Sequence, residues 1–305
     1  MTTPAQATPR VAVIGTGKMG SAIAARLAEE GFDLRLWNRT RSRAEALGIG
    51  SVADSPLIAA SDAQVVISSL TGADAVRSAY LGANGVLAAG GDKLLIEMST
   101  AGPDLETEIR PAVDKAGDRL VDAPILGAPT LVRNGQAAVL LGGSDPDIAE
   151  ATSVIGSLGT VRHVGPLGSA ARLKLVANSM LADVILAAAE LQVAGERAGL
   201  APDDVFWVLE RIAPSIGPRR AGLVEGRHEP TLFALRDLRK DLDLARDLFT
   251  RPDAFTPVTH GARELVTIAA RDAGGLDITA VVDRYRHDKH SAISEPEAAR
   301  LLAKA

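Results

Sequence analysis

VAVIGTGKMG, residues 11–20, sets four strand-forming apolar residues directly against a glycine-rich hexapeptide. An amphipathic segment, residues 21–30, follows without a break. Strand, glycine loop and helix in that order are the context in which a G-x-G-x-x-G pattern reads as a dinucleotide site. Gly15 permits the tight turn, Gly17 removes a side chain where a pyrophosphate must approach, and Gly20 lets the helix pack on the strand. The helix amides then face the anion, and Lys18 and Met19, between the glycines, are expected to touch the same ligand.

About twenty residues on, after a second apolar run ending at Trp37, an NAD-selective site places a carboxylate for the ribose 2′-hydroxyl. Here the sequence reads Asn38-Arg39-Thr40. The acid is missing, and a guanidinium and a hydroxyl stand ready for a 2′-phosphate, so NADP(H) is the expected cofactor.

Further out, the same alternation of short apolar runs and helical periods continues: VVISSL from Val65, LLIEM from Leu94, Leu120–Val121, AAVLL from Ala137 and Val161–Val164. This predicts βαβ units around a mainly parallel, doubly wound sheet of Rossmann type. Leu70 and Thr71 follow one strand and Ser99 and Thr100 another, at the carboxyl ends where such sheets bind ligands. Leu70, Thr71 and Thr100 are assigned to the cofactor and Ser99 to the substrate.

After Gly165 the texture changes. Residues 169–199 read as one long, mostly buried helix, and the segments beyond it, interrupted at Pro202, Pro214–Pro218, Pro230, Pro252 and Gly274–Gly275, all have helical period. The predicted organisation is a disordered N-terminus over residues 1–9, an NADP-binding domain over 10–164 and an all-helical substrate and dimerisation domain over 165–305. Ser294-Glu295-Pro296 starts a short terminal helix whose Leu301 and Leu302 call for a partner surface.

Composition narrows the chemistry. The 305 residues are 47% hydrophobic, enough for a large core, and carry a net charge of −5 without a basic stripe, which argues against nucleic acid. There is no cysteine, hence no disulfide, thiolate metal site or thiol nucleophile. The opening residues lack the apolar core of a signal peptide and no run is judged long enough for a membrane span, so a cytoplasmic location without membrane contact is expected.

Lys174 lies among Leu173, Leu175 and Val176, with Asn178 one helical turn on. Reducing a carbonyl leaves an alkoxide that needs a proton, and oxidising an alcohol needs a base. A desolvated lysine serves both directions, with Asn178 as its orienting partner. His287 and His290 read as part of a solvated polar face, and no metal site is expected. Lys240-Asp241 in LRKDLDLA reads first as a helical ion-pair face.

Together, GTGKMG, WNRT at Trp37, IEMST at Ile96, DAPILGA at Asp122, LGSAARLKLVANSML at Leu167 and FALRDLRKDLDLA at Phe233 resemble the β-hydroxyacid dehydrogenase family, over Val11 to about Arg284. The resemblance implies Lys174 and Asn178 as the catalytic pair, Lys240 near the nicotinamide, and Asp241 and Phe233 at the substrate. It also implies a long linking helix and subunits paired through the helical domain. In the DAP segment, Leu126-Gly127-Ala128 stands where the family often carries Ser-Gly-Gly or Ser-Gly-Ser to hold a substrate carboxylate. The implied reaction is hydride transfer between NADPH and a small hydroxyacid or semialdehyde. Two other readings stay open: an imine reductase, which shares the WNRT feature, and a non-catalytic NADPH-binding interaction protein.

Overall fold

The structure, a computed structural model, describes residues 9–287. The expected disordered N-terminus, apart from Pro9, and the terminal helix with Leu301 and Leu302 lie outside the described residues.

Each apolar run of the first half forms a strand: β1 Val11–Ile14, β2 Leu34–Trp37, β4 Val65–Ser68, β5 Leu94–Glu97, β6 Arg119–Asp122, β8 Ala137–Gly142 and β9 Gly159–Gly165. Two strands of only two residues, β3 Ser51–Val52 and β7 Ile125–Leu126, escape a periodicity reading because nothing alternates over so short a span. The order is β3-β2-β1-β4-β5-β6-β8-β7, with β9 on β8. From β3 to β6 every pair is parallel, whereas β8 runs antiparallel to β6 and β7.

The helices on this sheet are α1 Lys18–Glu29, α2 Arg41–Glu45, α3 Pro56–Ala60, α4 Ala73–Leu81, α5 Leu105–Ala116, α6 Pro129–Arg133 and α7 Asp145–Ile155. They cover both faces, which is why β1, β4 and β5 are buried at every position. Val11 and Val13 pack into one apolar cluster with Ile23 and Leu27 of α1, while Ala12 and Ile14 pack into the other with Tyr80 and Ile109. Strand order reverses between β1 and β4, beside the glycine loop.

Helix α8, Ser169–Arg197, is the expected long helix. Burial reaches only part of its circumference: Leu173, Val176, Met180 and Leu191 are 42%, 48%, 63% and 51% exposed. By length and composition α8 is apolar enough to cross a membrane, contrary to the sequence reading, and half of its most apolar stretch is buried in the protein. Charged residues distributed among alanines and leucines, Lys174, Asp183 and Glu190 through its middle, hide that character from a scan for unbroken apolar runs.

The chain forms two compact units: residues up to Asn178 together with Asp247–Asp253, and Ser179–Arg246 with the chain from Ala254. The second holds the C-terminal part of α8 and α9 Pro202–Ile212, α10 Arg220–Glu225, α11 Leu235–Thr250, whose last residues fall in the first unit, α12 Pro257–Ala273 and α13 Val282–His287. Phe206, Ile216, Leu235, Leu242, Val266 and Ile278 are central to its core. A buried ion pair, Arg219 to Asp277 at 2.6 Å, braces it.

Candidate functional site

The glycine loop closes on itself. Gly15 has φ +98°, and a Cβ there would stand 2.3 Å from the Ser69 carbonyl oxygen. One on Gly20 would stand 1.9 Å from the Gly15 oxygen, so neither position admits a side chain. Gly17 is different: a Cβ would meet nothing within 4 Å, and no side chain caps α1 at this residue. Open space beside uncapped amides is what a pyrophosphate needs, and these residues fit a dinucleotide.

Asn38 ties the loop to the end of β2. Its Oδ1 accepts from the Thr16 amide at 3.0 Å, and its Nδ2 donates to the Thr40 carbonyl at 2.9 Å. Arg41 is paired with Glu45 and Asp54, whereas exposed Arg39 has no hydrogen bond or ion pair among the described residues. Thr40 is exposed, as are Lys18 and Thr71; Met19 is half-buried against the core beneath the loop.

At the ends of β4 and β5 a buried network joins the two predicted walls. The Leu70 amide donates to Ser99 Oγ at 2.8 Å, and the Ser99 amide to Glu97 Oε1 at 2.7 Å. Ser68 Oγ donates to the other Glu97 oxygen and lies 2.7 Å from the Tyr80 hydroxyl. Ser99 is therefore enclosed and engaged in fixing the Leu70 loop, while Thr100 is half-buried next to it. Burial pushes Glu97 up from the ordinary carboxylate range, against the pull of the serine donors.

The end of β6 and the segment after it hold the start of α8 in two ways. Asp122 accepts from the Gly168 amide with Oδ1 and from the Ala171 amide with Oδ2, both at 2.8 Å. Three residues on, the Ile125 carbonyl accepts from Lys174 Nζ at 2.7 Å. Lys174 is thus half-buried with its ammonium directed at backbone, and Asn178, one turn along, is buried. Leu126 lines a depression with Leu140, Val164, Leu173, Val176 and Ala177. Gly127 has φ +145°, and Ala128 precedes α6.

Phe233, Lys240 and Asp241 belong to the second unit. The Phe233 amide donates to Asp277 Oδ2 at 3.0 Å, as does that of Leu232, and the Phe233 ring packs on the core of the unit. Burial alone would raise Asp277, but Arg219 and the amide donors outweigh it and hold the carboxyl below its ordinary range. Lys240 Nζ lies 2.7 Å from Asp241 Oδ1. Asp241 is buried on the face of α11 that carries Leu238, Leu242 and Ala245, so the pair is not the solvated ion-pair face its sequence suggests. The spacing of those apolar residues encloses position 241 and was the available signal. His287 lies beside Asp283 and Arg284, and His290 is outside the described residues.

Sequence reasoning singled out none of Glu97, Glu106 and the carboxylate of Asp122. For Glu97 and Asp122 the signal is a carboxylate closing an apolar parallel strand, as in LLIE and RLVD.

Residues 10–165 match the model for the NAD binding domain of 6-phosphogluconate dehydrogenase, and residues 168–285 that for the NAD-binding domain of NADP-dependent 3-hydroxyisobutyrate dehydrogenase. The chain is 30% identical to a 3-hydroxyisobutyrate dehydrogenase of Pseudomonas aeruginosa over 300 residues, covering 90% of this chain and 98% of that protein. Glyoxylate/succinic semialdehyde reductase 1 of Arabidopsis thaliana is 27% identical over 287 residues, 92% of this chain and 99% of the relative. Among solved structures, the 3-hydroxyisobutyrate dehydrogenase of Mycobacterium tuberculosis with L-serine superposes with a TM-score of 0.81 at 25% identity, covering 92% of this chain and all of that one.

Proposed function

The chain belongs to the β-hydroxyacid dehydrogenase family, and from that premise we propose an NADPH-dependent oxidoreductase that interconverts a small carboxylate-bearing aldehyde or ketone and its alcohol. A bound nicotinamide supplies or accepts the hydride. The chain's own part is to cradle the pyrophosphate at Gly15, Gly17 and Gly20, to meet the 2′-phosphate with Arg39 and Thr40, and to move one proton. Lys174 gives that proton to the carbonyl oxygen in reduction and takes it from the hydroxyl in oxidation. Asn178 orients the same oxygen.

The observation that carries this reading is the Lys174 ammonium, half-buried and held at 2.7 Å by the Ile125 carbonyl, on a helix turn clamped by Asp122. An ammonium on the surface for solubility needs neither restraint. The substrate class is supported by the relatives, whose names concern a hydroxyacid and short semialdehydes, and by the L-serine, itself a β-hydroxyacid, of the M. tuberculosis structure. Leu126 in the DAP segment favours a substrate larger or less polar than those.

The test is a screen of semialdehydes, β-hydroxyacids and cyclic imines with both nicotinamide cofactors, followed at the nicotinamide absorbance. Lys174→Ala should lower kcat by about two to four orders of magnitude and leave nucleotide affinity nearly unchanged. Undiminished turnover removes Lys174 from the reaction. Turnover of imines alone makes the chain an imine reductase, and binding of NADPH without any turnover makes it a binding protein. A homo-oligomer paired along the exposed apolar face of α8 completes the proposal.

A further inference from the structure

Three buried carboxylates act on one another near the start of α8. Glu97 and Asp122 are register partners at the ends of β5 and β6, and Glu106 comes from the first turn of α5. Their exposures are 1%, 0% and 1%. Two are satisfied: Asp122 by the Gly168 and Ala171 amides, Glu97 by Ser68 and Ser99. Glu106 is not, since its Oε2 is buried without a hydrogen-bond partner among the described residues.

The charged and titratable groups acting on Glu106 are Asp122 of β6, Glu97 of β5, the Tyr80 hydroxyl of α4 and, as the opposing cation, Arg172 of α8. A buried carboxylate with one bare oxygen and two acidic neighbours is far less costly as the neutral acid. Burial and then the charge of Asp122 push Glu106 up to about 8. Its sequence neighbours come close to the residue before α8: a Cβ on Gly168 would lie 3.8 Å from the Pro103 oxygen and 3.9 Å from Thr107 Oγ1, on either side of Glu106 in sequence.

We propose that Glu106, kept as the neutral acid, is a positioning residue for Lys174: uncharged, it lets Asp122 hold the Gly168 and Ala171 amides at the start of α8, and on ionising it sets a like charge against that clamp. Lys174 rides on the clamped turn and draws its direction from Ile125, three residues beyond Asp122 in the same segment. Loosening the clamp displaces the ammonium without touching the nucleotide loop. The kinetic consequence rests on the proposed hydride reaction; the structural one does not.

The experiment measures amide hydrogen exchange of peptides spanning residues 166–176 in the full chain at pH 7 and pH 9, corrected for intrinsic exchange. The native chain should lose about tenfold of its protection there at pH 9, and Glu106→Gln less than about twofold. Asp122→Asn should be poorly protected at both pH values. In the assay, Glu106→Ala should lower kcat about tenfold with KM little changed, Glu106→Gln should restore it, and the fall of kcat/KM above pH 8 should disappear in Glu106→Gln. If Glu106→Ala does not fold, the Gln variant still decides. Equal pH dependence of exchange in the native chain and Glu106→Gln overturns the proposal. Failure of the hydride reading appears separately, as Lys174→Ala with unchanged turnover, and leaves the exchange result standing.

Discussion

Arg39 and Glu106 are opposite cases of one rule, that a charge needs a partner in proportion to its burial. Arg39 is exposed and unpaired among the described residues, next to Asn38, which stands where NAD-selective folds carry an acid; under the proposed function its counter-ion is the cofactor's 2′-phosphate. Arg39→Ala should weaken NADPH binding by about 1.5 to 3 kcal/mol and leave NADH nearly unaffected, read as separate dissociation constants. Equal losses for both cofactors would make Arg39 structural. Glu106 is buried, and its carboxyl titrates at about 8 in the fold against 4.5 for the free side chain. With the folded value raised, the native state binds the extra proton between those two values. Its stabilising share is therefore complete below pH 4.5 and is lost as pH rises to 8. The interval corresponds to about 5 kcal/mol. Glu106→Gln cannot ionise, so urea unfolding at pH 5 and pH 9 should show it gaining several kcal/mol on the native chain over that range. Parallel curves would mean that Glu106 is ionised in the fold throughout.

Among the elements, the glycine loop separates packing from binding. A methyl group at Gly20 collides with backbone of the same loop, where nothing can rotate away, whereas one at Gly17 meets open space. Gly20→Ala should cost about 3 kcal/mol or more and lower Tm by several degrees without nucleotide. Gly17→Ala should melt with the native chain and lose nucleotide affinity at least about tenfold; a matching loss of Tm would place Gly17 among the packing residues. This loop was fully legible in VAVIGTGKMG because strand, turn and helix are local and each has its own residue chemistry. So were the long strands, whose apolar runs are the direct mark of burial on both faces. The dipeptide strands β3 and β7 were not, since neighbours rather than propensity define them. Helical spacing put Lys174 and Asn178 one turn apart, and both lie on α8. The clamp of Asp122 on Gly168 and Ala171 joins residues more than forty positions apart, and no spacing rule connects them. The bond from the Leu70 amide to the Ser99 hydroxyl, across 29 positions, was beyond a spacing rule for the same reason.

For the molecule as a whole, the proposed pairing of subunits is tested on the outer face of α8. Leu173, Val176, Met180, Val184, Ala187, Leu191 and Ala194 recur at intervals of three and four along it, and the first three and Leu191 are largely exposed. Contiguous exposed apolar residues mark surfaces that a partner can cover, and the heptad-like spacing of this stripe suits another helix. Lipid is the competing cover, because α8 is long and apolar enough to span a bilayer. Against lipid stand the polar groups on the same helix: Lys174 bound to Ile125, Asn178 and Gln192 buried in protein, and Glu190 exposed beside the stripe. A spanning helix would have to carry all of these into hydrocarbon. A second copy of the chain asks nothing of them. Met180→Lys combined with Leu191→Lys leaves the interior of one chain untouched, since both side chains already face outward. In light scattering the native chain should therefore run at a multiple of its 31.6 kDa mass and the double variant at that mass itself, still folded and still binding nucleotide. A native chain that is monomeric, or a variant that keeps the full assembly, refutes pairing along α8. A native chain that stays in solution only with detergent transfers the stripe to the membrane.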